Sequence, residues 1–223
     1  MAEGDSVIGR SKLDLDTPAL LVDLAAMERN LERMARTFRE ASVNWRPHTK
    51  GQKVPAIAHR LLAVGAIGVT CAKLGEAEVM AAAGINDILI ANQIVGAPKI
   101  ARLVKLRAQA DVIVAVDSEA NVLELARAAQ ATGVQIRVVV EVNTGMNRAG
   151  VEPGEPAVAL AQLVHASAGL RYAGLMGWEG HTVKIPDPDA KRQAVERSVG
   201  LLTSTASLCR ERGLPREIVS CGG

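Results

Sequence analysis

Short apolar runs rich in Val and Ile alternate along the chain with longer stretches whose apolar residues recur at helical spacing. The runs at 19–23, 43–48, 68–72, 87–91, 112–117, 136–143, 172–178 and 217–220 read as strands. The stretches at 24–41, 55–64, 75–83, 98–109, 118–131, 155–166 and 189–212 read as helices. Glycines near several helix ends (Gly65, Gly84, Gly133, Gly169, Gly213) fit stops where a left-handed residue satisfies the last carbonyls. The strand runs are almost continuously apolar, as expected for parallel strands covered on both faces. Repeated strand–helix units of this kind build either a barrel or an open doubly wound sheet. The turn Asp23-Leu24-Ala25-Ala26-Met27 lacks the glycines of a dinucleotide-binding fold, which favours the barrel.

Composition narrows the function classes. The 223 residues suit one sizeable α/β domain, divided here into an N-terminal segment (1–18) and a barrel (19–223). A net charge of +2 implies no general attraction for nucleic acid or acidic membrane. Aromatics make up only 2%, which argues against base-stacking platforms. Three cysteines (Cys71, Cys209, Cys221) without CxxC spacing suit a reducing compartment and exclude a zinc knuckle. The first 17 residues hold no apolar core of a secretory signal, and no run approaches the ~20 apolar residues of a membrane helix. A cytoplasmic location is expected.

Candidate chemistry clusters after the strand runs. Lys50 closes Asn44-Trp45-Arg46-Pro47-His48-Thr49-Lys50, at the mouth where a barrel enzyme places a Schiff-base amine. The alternative is a surface lysine, and Lys53 is an obvious decoy. Strand alternation puts His48 on the same face as Lys50. Arg148 lies in the loop after the 136–143 run, with a solvated loop arginine as the alternative. Ser220, Gly222 and Gly223 follow the last strand; glycines there let backbone N–H groups approach a phosphate, as would any generic turn. His181 stands one loop beyond 172–178 and reads equally as a base or a structural histidine. Trp178 lines the same mouth or merely packs on its rim. His59 and His165 fall on helices as ordinary surface side chains, and Glu76 and Glu78 as first-turn helix acids. The loop Lys184-Ile185-Pro186-Asp187-Pro188 is either a mobile active-site loop or a rigid turn.

Four segments resemble the pyridoxal-phosphate enzymes of the alanine-racemase type, and more closely their D-threonine aldolase and D-serine dehydratase branch. They are Arg46-Pro47-His48-Thr49-Lys50, Asn143-Thr144-Gly145-Met146-Asn147-Arg148-Ala149-Gly150, Gly174-Leu175-Met176-Gly177-Trp178-Glu179-Gly180-His181 and Val219-Ser220-Cys221-Gly222-Gly223. The resemblance implies a TIM-like (β/α) barrel and a lyase acting on D-β-hydroxy amino acids, by retro-aldol cleavage or by elimination of water. Lys50 would form an imine with the cofactor's aldehyde and later move a proton; Arg148 would contact the ring oxygen. His48 and Trp178 would flank the cofactor, Ser220, Gly222 and Gly223 would meet its phosphate, and His181 would act on the substrate. The segment departs from the racemase pattern at Asn143, where an aspartate is usual.

The resemblance also implies parts that this sequence does not contain. A last barrel strand and a C-terminal β-domain are expected to be absent, which leaves seven barrel strands from 43–48 to 217–220. In the family 19–23 pairs with that later domain. The β-domain supplies the divalent-metal ligands, so none is expected here, and related enzymes are homodimers whose sites borrow from the partner. Three rivals stay open: a racemase, whose second base is normally a tyrosine of the absent domain and which Tyr172 is misplaced to supply, a non-catalytic pyridoxal-phosphate carrier, and a phosphosugar barrel enzyme without cofactor.

Overall fold

The structure is a computed structural model that describes residues 7–215 and 217–222. Contacts divide it into two compact units, one up to Val43 and one from Asn44 onward. The first unit carries helix α1 (Leu24–Glu40), whose N-terminus is capped by the Asp23 carboxylate accepting the Ala26 N–H at 2.9 Å. Residues 19–23 form no strand, contrary to the sequence pattern. Leu20, Leu21 and Val22 are exposed, so their apolar character answers to no partner among the described residues.

The second unit is a parallel sheet of six strands in sequential order: β1 (Val69–Cys71), β2 (Asp87–Gln93), β3 (Asp111–Val116), β4 (Ile136–Glu141), β5 (Leu170–Met176) and β6 (Ile218–Ser220). Helix α2 (Pro55–Ala63) precedes β1, and α3 (Leu74–Ala82), α4 (Ala97–Arg107), α5 (Glu119–Thr132), α6 (Glu155–Ala166) and α7 (Pro188–Glu211) connect the successive strands. The run 43–48 forms no strand and makes one ladder bridge to this sheet, the parallel one between His48 and Thr70. Pro47 is the reason: it has no N–H to donate, so it can only accept, from the Thr70 N–H at 2.8 Å. The expected seven barrel strands are therefore six and a bridged segment. None of the helices among the described residues is long and apolar enough to cross a membrane.

The two faces of the sheet differ. Ile88, Ile90, Val112, Val114, Ile136, Val138 and Val140 face the helices and join one large buried core. Leu89, Ile113, Ala115, Val139, Ala173 and Met176 point the other way and pack on one another in a separate cluster built from strands alone. An inner cluster without helices belongs to part of a barrel, not to a doubly wound sheet with helices on both faces. Each of the larger inner side chains contributes about 1.5–3 kcal/mol by leaving water.

The inner face is layered by the two-residue period of the strands. At the N-terminal ends stand Asp87, Asp111 and Arg137, in the middle the apolar cluster, and at the C-terminal ends Gln93 and Glu141. The lower layer is closed by ion pairs. Arg46 pairs with Asp87, and Arg137 with Asp111 at 2.7 Å and Glu217 at 3.8 Å. Arg107 adds a contact to Asp111 at 3.3 Å, and Arg171 one to Glu217 at 2.6 Å.

Candidate active site at the C-terminal end of the sheet

The chain rises past the His48–Thr70 bridge and turns at once. Buried Thr49 locks the turn: its N–H and its hydroxyl both donate to the Thr70 carbonyl, at 2.7 and 3.1 Å. The Lys50 N–H then donates to Nδ1 of His48 at 3.2 Å. Burial, and next the Lys50 cation, hold the His48 pKa below its usual value, which keeps the ring neutral and Nδ1 able to accept. This leaves the Lys50 side chain exposed at the sheet's C-terminal mouth. Lys53, the decoy, is engaged elsewhere, 3.3 Å from the buried Glu76 carboxylate that also accepts the Ala72 N–H.

Arg148 comes from the 143–151 loop, whose ends are pinned together beside β4. The Val151 N–H donates to the Glu141 carbonyl at 2.9 Å and the Asn143 N–H to the Val151 carbonyl at 2.8 Å. Gly150 must pass within van der Waals reach of Val142 and Asn143 at a φ of +98°, which only glycine accommodates without strain.

Trp178 follows β5 and unites the two cations. The Lys50 Nζ lies 4.9 Å from the centroid of its indole and the Arg148 Cζ 4.7 Å from it. Both are cation–π distances, worth about 0.5–1 kcal/mol each at an exposed site. Among the described residues neither cation has a carboxylate within ion-pair distance. The indole lies against Gly180, where an added Cβ would come within 2.5 Å of ring carbons.

His181 stands beside the same loop, its ring about 3.3–3.4 Å from where a Gly145 Cβ would be. Ser220 ends β6 and accepts the Gly177 N–H at 2.9 Å, so its backbone is used in the sheet. The Gly222 N–H donates to a Glu179 carboxylate oxygen at 3.3 Å, with Gly222 at a φ of +106°. This backbone donor thus already takes an anionic oxygen. Gly223 lies outside the described residues.

Three polar residues escaped the sequence reading. Glu141 is buried on the inner face, accepting from the Gln93 amide at 2.6 Å. Burial pushes its carboxyl above the usual range, opposed by the Gln93 hydrogen bond, with Asp117 raising it further and Arg148 lowering it. Asp117 accepts the Gly150 N–H at 3.1 Å and so supports the Arg148 loop. A polar residue at or just after the end of an otherwise apolar strand was the available signal. Tyr172, by contrast, belongs to the outer core among the helices, against Cys209, and burial pushes its phenol well above the usual range.

A family model described as the alanine racemase N-terminal domain matches residues 22–223. A D-threonine aldolase of Arthrobacter sp. is 37% identical over 209 residues, 94% of this chain and 55% of that protein. The crystal structure of D-threonine aldolase from Filomicrobium marinum superposes with a TM-score of 0.91 at 45% identity, over 93% of this chain and 56% of that one. D-threo-3-hydroxyaspartate dehydratase from Delftia sp. HT23 gives a TM-score of 0.88 at 33% identity, over 94% and 56%. The chain spans about half the length of the relatives it matches.

Proposed function

This chain belongs to the alanine racemase N-terminal-domain family, and on that premise we propose that it is the cofactor-holding part of a pyridoxal-phosphate lyase for D-β-hydroxy amino acids. The observation that carries the proposal is the meeting of Lys50 and Arg148 on one indole, from loops nearly one hundred residues apart in sequence. The lyase class rests on the relatives, which are an aldolase and a dehydratase.

The donor set fits the group. An exposed primary amine, a guanidinium without a carboxylate at ion-pair distance, a flat aromatic face and a backbone N–H already holding an anionic oxygen match an aldehyde, a phenolate, a ring and a phosphate. When bound, pyridoxal phosphate supplies the aldehyde that condenses with an amine and a ring that accepts electrons released at the substrate's α-carbon. Lys50 is then the covalent anchor and, once displaced by the substrate's amine, the group that moves a proton at the substrate. Arg148 orients the ring oxygen by charge and by its planar fork. Trp178 shields the Lys50 side of the site from water. Ser220, Gly222 and Gly223 receive the phosphate, with Glu179 giving way, and His181 acts at the substrate's β-hydroxyl.

Whether the reaction is retro-aldol cleavage or dehydration turns on the group that meets the β-hydroxyl. Tyr172, the single tyrosine of this sequence, is packed among the helices and is not placed to serve as a racemase's second base. Among the described residues no three His, Cys, Asp or Glu side chains gather into a metal site. A divalent cation and a homodimeric assembly remain part of the proposal for the whole protein.

The test is spectroscopic. Incubation with pyridoxal phosphate should give a yellow protein whose visible band is lost in Lys50→Ala and kept in Lys53→Ala. A band that survives Lys50→Ala would remove the anchor and with it the proposal.

A further inference from the structure

The 143–151 loop is organised by one side chain, and its chemistry is unusually constrained. The Asn143 Oδ1 accepts two backbone N–H groups, from Gly145 and Asn147, each at 3.1 Å. Those two donors fix the amide orientation, since only the oxygen can accept them. The Nδ2 therefore faces outward as a donor, and it meets the Asn147 Oδ1 at 2.9 Å and the Glu152 Oε1 at 3.1 Å. Asn147 is held at a positive φ of 54° by this arrangement, immediately before Arg148. Gly145, the other residue so held, lies against the His181 ring.

We propose that Asn143 is the positioning residue of the site, and that its amide, tied to Glu152, sets where Arg148 and the wall against His181 stand. The inference deepens the cofactor reading and rests on it for its chemical meaning. The identity of the side chain follows from the donor pattern. Aspartate at 143 would keep both backbone donors but present a second oxygen to the Glu152 carboxylate and the Asn147 carbonyl oxygen. Two like charges at hydrogen-bonding distance repel, so the tie to Glu152 would open. The partner of an asparagine here is therefore an acid at 152, and an aspartate here calls for a neutral donor at 152.

Arg148 makes the loop's geometry matter, because a displacement of about 1 Å in a positioning cation can cost on the order of a hundredfold in rate. In the chain as it stands, Asn143→Asp should speed amide hydrogen exchange across 144–150 and weaken pyridoxal-phosphate binding about tenfold, with Asn143→Asp/Glu152→Gln restoring most of both. The single Glu152→Gln variant should lie close to the parent, because a neutral amide oxygen still accepts from Asn143. Unchanged exchange in Asn143→Asp, or a double variant no better than the single one, would overturn the assignment. Exchange in the expected order with no Lys50-dependent colour in the parent would leave Asn143 as the loop's organiser for another ligand and reject the cofactor reading instead.

Discussion

The two ends of the sheet hold charge in opposite ways. At the N-terminal ends of the strands Arg46, Arg107, Arg137 and Arg171 all reach carboxylates of Asp87, Asp111 or Glu217. At the C-terminal ends Lys50 and Arg148 meet an aromatic face instead. The same residue type thus serves as a staple below and as an available cation above. The lesson is that the functional end is recognised by positive charge left without a partner acid, which is costly to maintain and useful to an incoming anion.

The comparison can be broken from either side. The largest effect is expected from Arg148→Ala: about a hundredfold loss in cofactor affinity or turnover with little change in melting temperature, read by absorbance titration and thermal unfolding. Below the sheet the order reverses. Arg137→Ala leaves Asp111 with Arg107 alone and Glu217 with Arg171 alone, and should cost about 1 kcal/mol, roughly 3 °C in melting temperature, while the cofactor band stays intact. Equal loss of cofactor in both variants would erase the distinction between the ends.

Glu141 sharpens the contrast, as the upper layer's buried acid. Its carboxyl is raised, so the folded state holds more protons than the unfolded one above the ordinary carboxylate range, and stability falls as pH rises through that window. Glu141→Gln removes the charge but keeps an acceptor for Gln93. It should melt higher than the parent at neutral pH, the gain vanishing below about pH 4, where both states are protonated. A gain independent of pH would contradict this account. The smallest effect belongs to Trp178→Phe, which keeps an aromatic face of weaker quadrupole and should weaken cofactor binding only a few-fold.

Most of the strand–helix order was legible because each strand is an apolar run long enough to stand out. The run at 43–48 misled because one proline removes a donor, and the one at 19–23 because apolar character does not by itself supply a pairing partner. Lys50, Arg148 and Trp178 could be singled out, and the resemblance gathered them at one mouth, although spacing along the chain alone does not fix which loops converge. Glu141 with Gln93, and Asn143 with Glu152, lay further out of reach. Each depends on which face an individual side chain takes, and on a partner that periodicity does not mark. The ionic floor was hidden for the same reason: Arg137 sits inside an apolar run, its partners 26 and 80 residues away, 137 − 111 and 217 − 137.

Gly180 gives the smallest lever on this mouth. The indole can lie where it does because only a hydrogen projects from that α-carbon, and a single methyl would demand the space of the ring carbons. Alanine there would evict the tryptophan and unseat lysine and arginine together, altering neither formal charge nor any polar group. A neutral change of one carbon atom would thereby switch off a site defined by its cations.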